Sequence, residues 1–287
     1  MSHFPTCDLV NNELNKCVEN IEKLIHADVF LYYGNIDPSY KQLFISEIEN
    51  LAKHSPKENL AFNITTNGGS VEMVEVMVDV MRNFYKEIYF FVQDYAYSAG
   101  TILCMSGDKI YMSYASSLGP IDPQVLVNGK YVSAQGYIDQ FEYIKRKSGD
   151  GTITPVELQM ALNLNLADLN FYSQARNLTV ALLKKWLVQY KFKDWTSHKT
   201  SGAPVTNDEK EQRAEEIAKT LGDNARWHSH GRHIGIKTLQ DSLNLRIENL
   251  DNTPKLKTAI EKYNRLAIDF ANKQGYLLFM HSKKSRG

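Results

Sequence analysis

Two turns and one histidine cluster hold the residues best able to do chemistry. In "YAYSAGT", Ser98 precedes Ala99 and Gly100 at the front of an apolar stretch. A serine there can cap a helix by accepting from its first free N–H groups. The same position suits a nucleophile: a strand-to-helix turn exposes Oγ, small neighbours leave an approach, and the Ala99 N–H can meet a developing oxyanion. In "TTNGGSV", Gly68 and Gly69 permit positive φ and close backbone approach. They open a helix, where negative charge is stabilised. That string reads as a phosphate cradle, half of an oxyanion hole, or a plain tight turn. Neither G-x-G-x-x-G nor G-x-x-x-x-G-K-[ST] occurs, so the common nucleotide-loop motifs are not matched. "HSHGRH" holds His228, His230 and His233. Imidazole suits a general base near neutrality. A metal reading lacks an adjoining carboxylate or cysteine and a standard ligand spacing, so neither metal nor cofactor is expected.

The elements that must position these residues alternate. "DVFLYYGNI" (28–36), "ENLAFNITTN" (58–67), "EIYFFVQ" (87–93) and "DKIYMSY" (108–114) read as strands. Helices are predicted from Asp37-Pro38, over 68–86, and after Ser98. This alternation argues for an α/β fold with largely parallel strands, with ligand sites at their carboxyl ends. Residues 8–26 have amphipathic helical spacing. Farther on, 125–133 reads as a hairpin turning at Asn128-Gly129. Helices are expected over 134–147, 166–191, 209–221 and 254–273. Between them, 148–155 and 200–208 read as loops. Residues 235–250 read as a short helix and closing strand, and the tail "SKKSRG" as loose.

Lysine plus arginine balances aspartate plus glutamate at 33 each, which argues against a dedicated nucleic-acid binder. Cys7, Cys17 and Cys104 form no CxxC pair and suit a reducing compartment. No secretory leader and no bilayer-length apolar run is visible, so a cytoplasmic protein without a membrane span is expected.

"NGGSV", "YSAGT" and "LGPIDPQ", in that order, resemble the Clp-type proteases. With "DVFLYYGNI" and "WHSHGRHIGIKTLQDSLNLRIENL", they resemble in particular the serine dehydrogenase proteinase branch, related also to signal-peptide peptidase A. The resemblance implies a Clp/crotonase-like spiral ββα superfold over 28–250. An N-terminal helix (1–27) and a C-terminal helix and tail (251–287) lie outside it. It implies Ser98 as nucleophile and backbone donors at Gly69 and Ala99. It further implies an extended polypeptide substrate paired along Gly68, Ser70 and Val71 on one side and Gly119 and Pro120 on the other. Relatives of this type form homo-oligomers, so one is expected here; whether an ATPase or activator partner acts with it is left open.

The sequence departs from that pattern at the base. Clp peptidases carry a histidine just past the fourth strand, and here no histidine lies between His54 and His198. The signal-peptide-peptidase branch uses a lysine, and "LADLNFY" offers Asp168 and Tyr172 instead. Lys145 and Lys147 read as a solvated face. His230 is the candidate base, with His228 second and Asp168 as the carboxylate orienting the imidazole. The competing readings are a catalytically silent Clp-fold scaffold or peptide-binding protein, and a crotonase-like acyl-CoA enzyme.

Overall fold

The computed structural model describes residues 5–55, 57–127, 130–198 and 200–283. In chain order, the first half runs α1 (Pro5–Ile25), β1 (Asp28–Gly34), α2 (Lys41–Lys53), β2 (Asn59–Thr66), α3 (Val71–Phe84), β3 (Glu87–Ala96), α4 (Ala99–Met105), β4 (Lys109–Met112) and β5 (Ser117–Leu118). A two-stranded ribbon follows, β6 (Gln124–Val127) and β7 (Lys130–Ser133), antiparallel as expected. Its Asn128-Gly129 turn lies outside the described residues. Then come α5 (Ala134–Gly149), α6 (Pro155–Leu162), α7 (Leu166–Trp186), a π-helical turn (Leu187–Lys191) and α8 (Asn207–Leu221). The chain continues through α9 (Asn224–Trp227), α10 (Ile236–Asp241), β8 (Glu248–Asn249), α11 (Pro254–Gln274) and β9 (Leu278–Ser282).

The main sheet has the order β8-β4-β3-β2-β1-β9, with β5 added beside the end of β3. All its pairings are parallel except β1 with β9. The period-2 alternation divides each strand between two cores. Phe30, Phe62, Ile64, Phe90 and Val92 face α2, α3 and α4. Val29, Leu31, Ala61 and Phe91 face α1 and α11. Strands apolar on both faces are what a helix-covered parallel sheet requires. The segments flanking 28–250 thus join the same layers: α1 and α11 cover one face, and β9 extends the sheet.

Besides the short β5 and α9, two elements differ from the sequence reading. α6 begins inside the expected loop, at a capping box in which Thr154 and Glu157 bond reciprocally, with Pro155 in the first turn. β9 takes in Ser282, the first residue of the expected loose tail, and pairs from Phe30↔Ser282 to Gly34↔Leu278. Residues 284–287 of the expected loose tail lie outside the described residues. Among the described residues, no helix is long and apolar enough to cross a membrane.

Candidate active site

Ser98 sits where β3 gives way to α4, at the carboxyl end of a central strand. Its backbone has φ 52° and ψ −117°, a conformation that disfavours any residue with a Cβ. Ser98 occupies the N-cap position, yet its side chain makes no capping bond. The turn is held by the Gly100 N–H donating to Tyr97 C=O at 2.8 Å and the Ile102 N–H donating to Ser98 C=O at 3.2 Å. As the first residue of α4, Ala99 has no intrahelical acceptor for its N–H, and none is supplied among the described residues.

Gly68 and Gly69 flank this turn. Both have positive φ, 108° and 144°, which glycine alone adopts readily. A Cβ on Gly68 would lie 2.9 Å from Ser98 Cβ and 2.8 Å from Tyr97 O, so only glycine lets β2 end against the serine turn. At Gly69 the chain bridges Ile36 in parallel: the Ile36 N–H donates to Gly68 C=O and the Ser70 N–H to Ile36 C=O. In a parallel bridge the middle residue's own N–H and C=O point the other way. The Gly69 N–H is therefore turned from β1 toward the β3 side of the sheet, and it has no acceptor among the described residues. Ser70 caps α3 by accepting from the Met73 N–H at 3.0 Å, and Val71 is the first helical residue.

On the other side of Ser98, β5 carries Gly119 and Pro120 past the end of β3, with Ala96 paired to Leu118. Both residues are buried. Thr101 Oγ1 lies 2.8 Å from Ala96 O and 2.9 Å from Gly119 O, and accepts from the Gly119 N–H at 3.0 Å. Here the expected substrate pairing needs correction. The Gly119 N–H donates to Thr101 and is not free to pair with another chain.

The histidine cluster is brought to this same edge. Leu118 and Ile234 exchange backbone bonds of 3.1 and 3.0 Å, fixing the loop before Ile234. His230 Nδ1 lies 2.8 Å from Asp122 Oδ1. Asp122 is fully buried, and its Oδ2 accepts from Gln124 Nε2 at 2.8 Å. The carboxylate beside His230 is thus Asp122 and not Asp168, which is exposed in the first turn of α7. Asp168 instead helps raise the Tyr172 hydroxyl, behind desolvation by burial. His228 is exposed and caps α9 in a left-handed conformation. Lys147 is paired with Glu157 at 2.6 Å and Lys145 with Glu142 at 3.5 Å. Among the described residues, no hydrogen bond joins Ser98 Oγ to any of these groups.

Asp122 and Thr101 are the residues the sequence reading passed over. An aspartate between Ile121 and Pro123 reads as turn chemistry, and only its place in "LGPIDPQ" marked it. Among the described residues, no cluster of histidine, cysteine and carboxylate groups suits a metal.

Residues 12–145 match the Clp protease family, a span that contains Ser98, both glycines and Asp122 and ends before His230. The chain has a Clp protease-like α/β fold. It is 30% identical over 115 residues to the uncharacterized protein MJ0137 of Methanocaldococcus jannaschii, covering 39% of this chain and 40% of that one. It is 24% identical over 155 residues to the uncharacterized protein MJ1495 of the same organism, covering 50% and 51%. The chain therefore spans about half or less of the curated relatives it matches. Among solved structures, two mutant forms of the 1510-N membrane-bound stomatin-specific protease align with a TM-score of 0.33 each. Their identities are 19% and 20%; each alignment covers 43% of this chain, and 65% and 61% of theirs.

Proposed function

We propose that this protein is a serine peptidase of the Clp fold, acting on extended polypeptide through Ser98. The observation that carries the reading is a serine in a disfavoured backbone conformation whose hydroxyl, like the N–H groups of the nearby Gly69 and Ala99, has no hydrogen-bond partner among the described residues. In this reading the substrate strand pairs with the chain at 68–71, where the Gly69 C=O is directed away from Ile36. Ser98 Oγ attacks the scissile carbonyl carbon and its proton passes to His230 Nε2. The carbonyl oxygen gains negative charge between the two N–H donors. Collapse expels the amine, which takes the proton from His230 and leaves an acyl ester on Ser98. Water, deprotonated by His230, then hydrolyses the ester. Asp122, already bonded to Nδ1, fixes the tautomer that leaves Nε2 free to accept.

The test is covalent labelling with a fluorophosphonate probe. Wild type is expected to label and Ser98→Ala to stay blank; equal labelling of the two would refute the nucleophile assignment. A second reading, a silent peptide-binding scaffold, is favoured by one fact: no histidine lies between His54 and His198, where Clp peptidases carry their base. It requires an unlabelled wild type that still binds peptide.

Self-association belongs to the same proposal. α6 and the start of α7 expose Val156, Leu162, Leu166 and Phe171, each at least 66% accessible, an apolar surface suited to assembly. Sedimentation at micromolar concentration is expected to give a mass above that of one chain.

A further inference from the structure

The face of the sheet under α11 carries a second polar feature, separate from the serine turn. A cleft of about 470 Å³ opens between α11 and residues 113–115, within the size range of small-molecule sites. Gln93 lines it and is 7% exposed, and its Nε2 has no partner. On the neighbouring strand, Asn63 Oδ1 and Thr65 Oγ1 are also buried without partners. A buried polar atom left unpaired is costly. Asn63 and Thr65 lie outside the cleft lining, but the Gln93 amide, without a partner among the described residues, stands in its wall and marks a place that a hydrogen-bonding occupant completes.

Among the described residues, the cleft also carries one charge of each sign outside any ion pair, Arg265 and Asp94. On α11, Arg265 stands one turn from Glu261 and from Asp269. Lys257 takes Glu261 at 3.7 Å and Lys273 takes Asp269 at 2.7 Å, so neither acid pairs with Arg265. Among the described residues, Asp94 accepts only from the neutral Asn264 side chain, at 3.3 Å. A simple anion would meet Asp94, and a simple cation would meet Arg265. A molecule with both charges satisfies both residues.

We infer that this cleft binds a small zwitterion, a free amino acid or a peptide of a few residues. Its carboxylate lies at Arg265, its ammonium at Asp94, and its polar backbone over the Gln93 amide. This inference does not depend on the reading of Ser98.

The test is isothermal titration of the full chain with glycine, diglycine and triglycine, and with N-acetyldiglycine and diglycinamide, each blocked at one end. At least one zwitterion is expected to bind saturably, and blocking either end to weaken it by about tenfold or more. The length that binds tightest separates amino acid from peptide. Arg265→Ala is expected to cancel the advantage of a free carboxylate, and Asp94→Asn that of a free ammonium. Both residues are exposed, so neither change threatens the fold. The inference fails if no zwitterion binds at millimolar concentration, if blocked and free ligands bind alike, or if both variants bind as wild type does.

Discussion

β2 and β3 each end in a turn that carries a serine into a helix, and the two serines do opposite things. Ser70 has ordinary extended angles, φ −76° and ψ 127°, and its hydroxyl accepts from Met73 N–H while lying 2.7 Å from Glu72 Oε2. Ser98, at the same position of the next unit, has φ 52° and no capping bond. The first serine stabilises its helix. The second forgoes that bond and adopts a backbone that opposes folding. Stability alone does not account for such an arrangement, and the nucleophilic role proposed for Ser98 would.

Each prediction bears on that contrast. The largest effect belongs to Ser98→Ala, expected to lower peptide hydrolysis by on the order of a thousandfold or more, with melting nearly unchanged. Next is Asp122→Asn, isosteric but unable to hold His230 Nδ1–H in the same way. It is expected to lower kcat on the order of a hundredfold or more, with a changed pH profile and a smaller change in KM. Asp168→Asn should change neither, and steady-state kinetics on all three variants decides.

Acid then separates the fold from the site. Burial holds the His281 imidazole down at about 4, below its ordinary 6.5. The unfolded chain takes up that proton first. Stability is therefore intact above about pH 6.5 and falls as pH drops toward 4, by up to about 3 kcal/mol. Urea midpoints across that window are expected to show the slope, and His281→Gln to flatten it. The smallest effects test the turns themselves. Ser70→Ala should cost about 1 kcal/mol through the lost cap, with kcat/KM changed little. Ser98→Gly should gain roughly 1 kcal/mol by relieving the positive φ, while abolishing labelling. A Ser98→Gly variant less stable than wild type would undo the contrast.

Much of this architecture was legible because its signals are local. Strand–glycine–helix and strand–serine–helix strings announce a parallel sheet with polar groups at its carboxyl end. α6 escaped because its apolar residues fall on no single face; the Thr154–Glu157 capping box was the available signal. β9 escaped because its pairing is set by β1, more than two hundred positions earlier in the chain. Asp122 escaped for a related reason. Its meaning depends on His230, which a distant backbone bridge at Leu118 and Ile234 brings to it, and no spacing rule reports such a meeting.

Thr101 ties two segments into one cooperative unit. Its single oxygen touches the end of β3 and both backbone groups of Gly119. The serine turn cannot open without releasing the strand that leads to Asp122. In hydrogen exchange, the amides of Gly119 and Ile102 should therefore trade deuterium in the same opening event, and Thr101→Val should make their protection factors diverge.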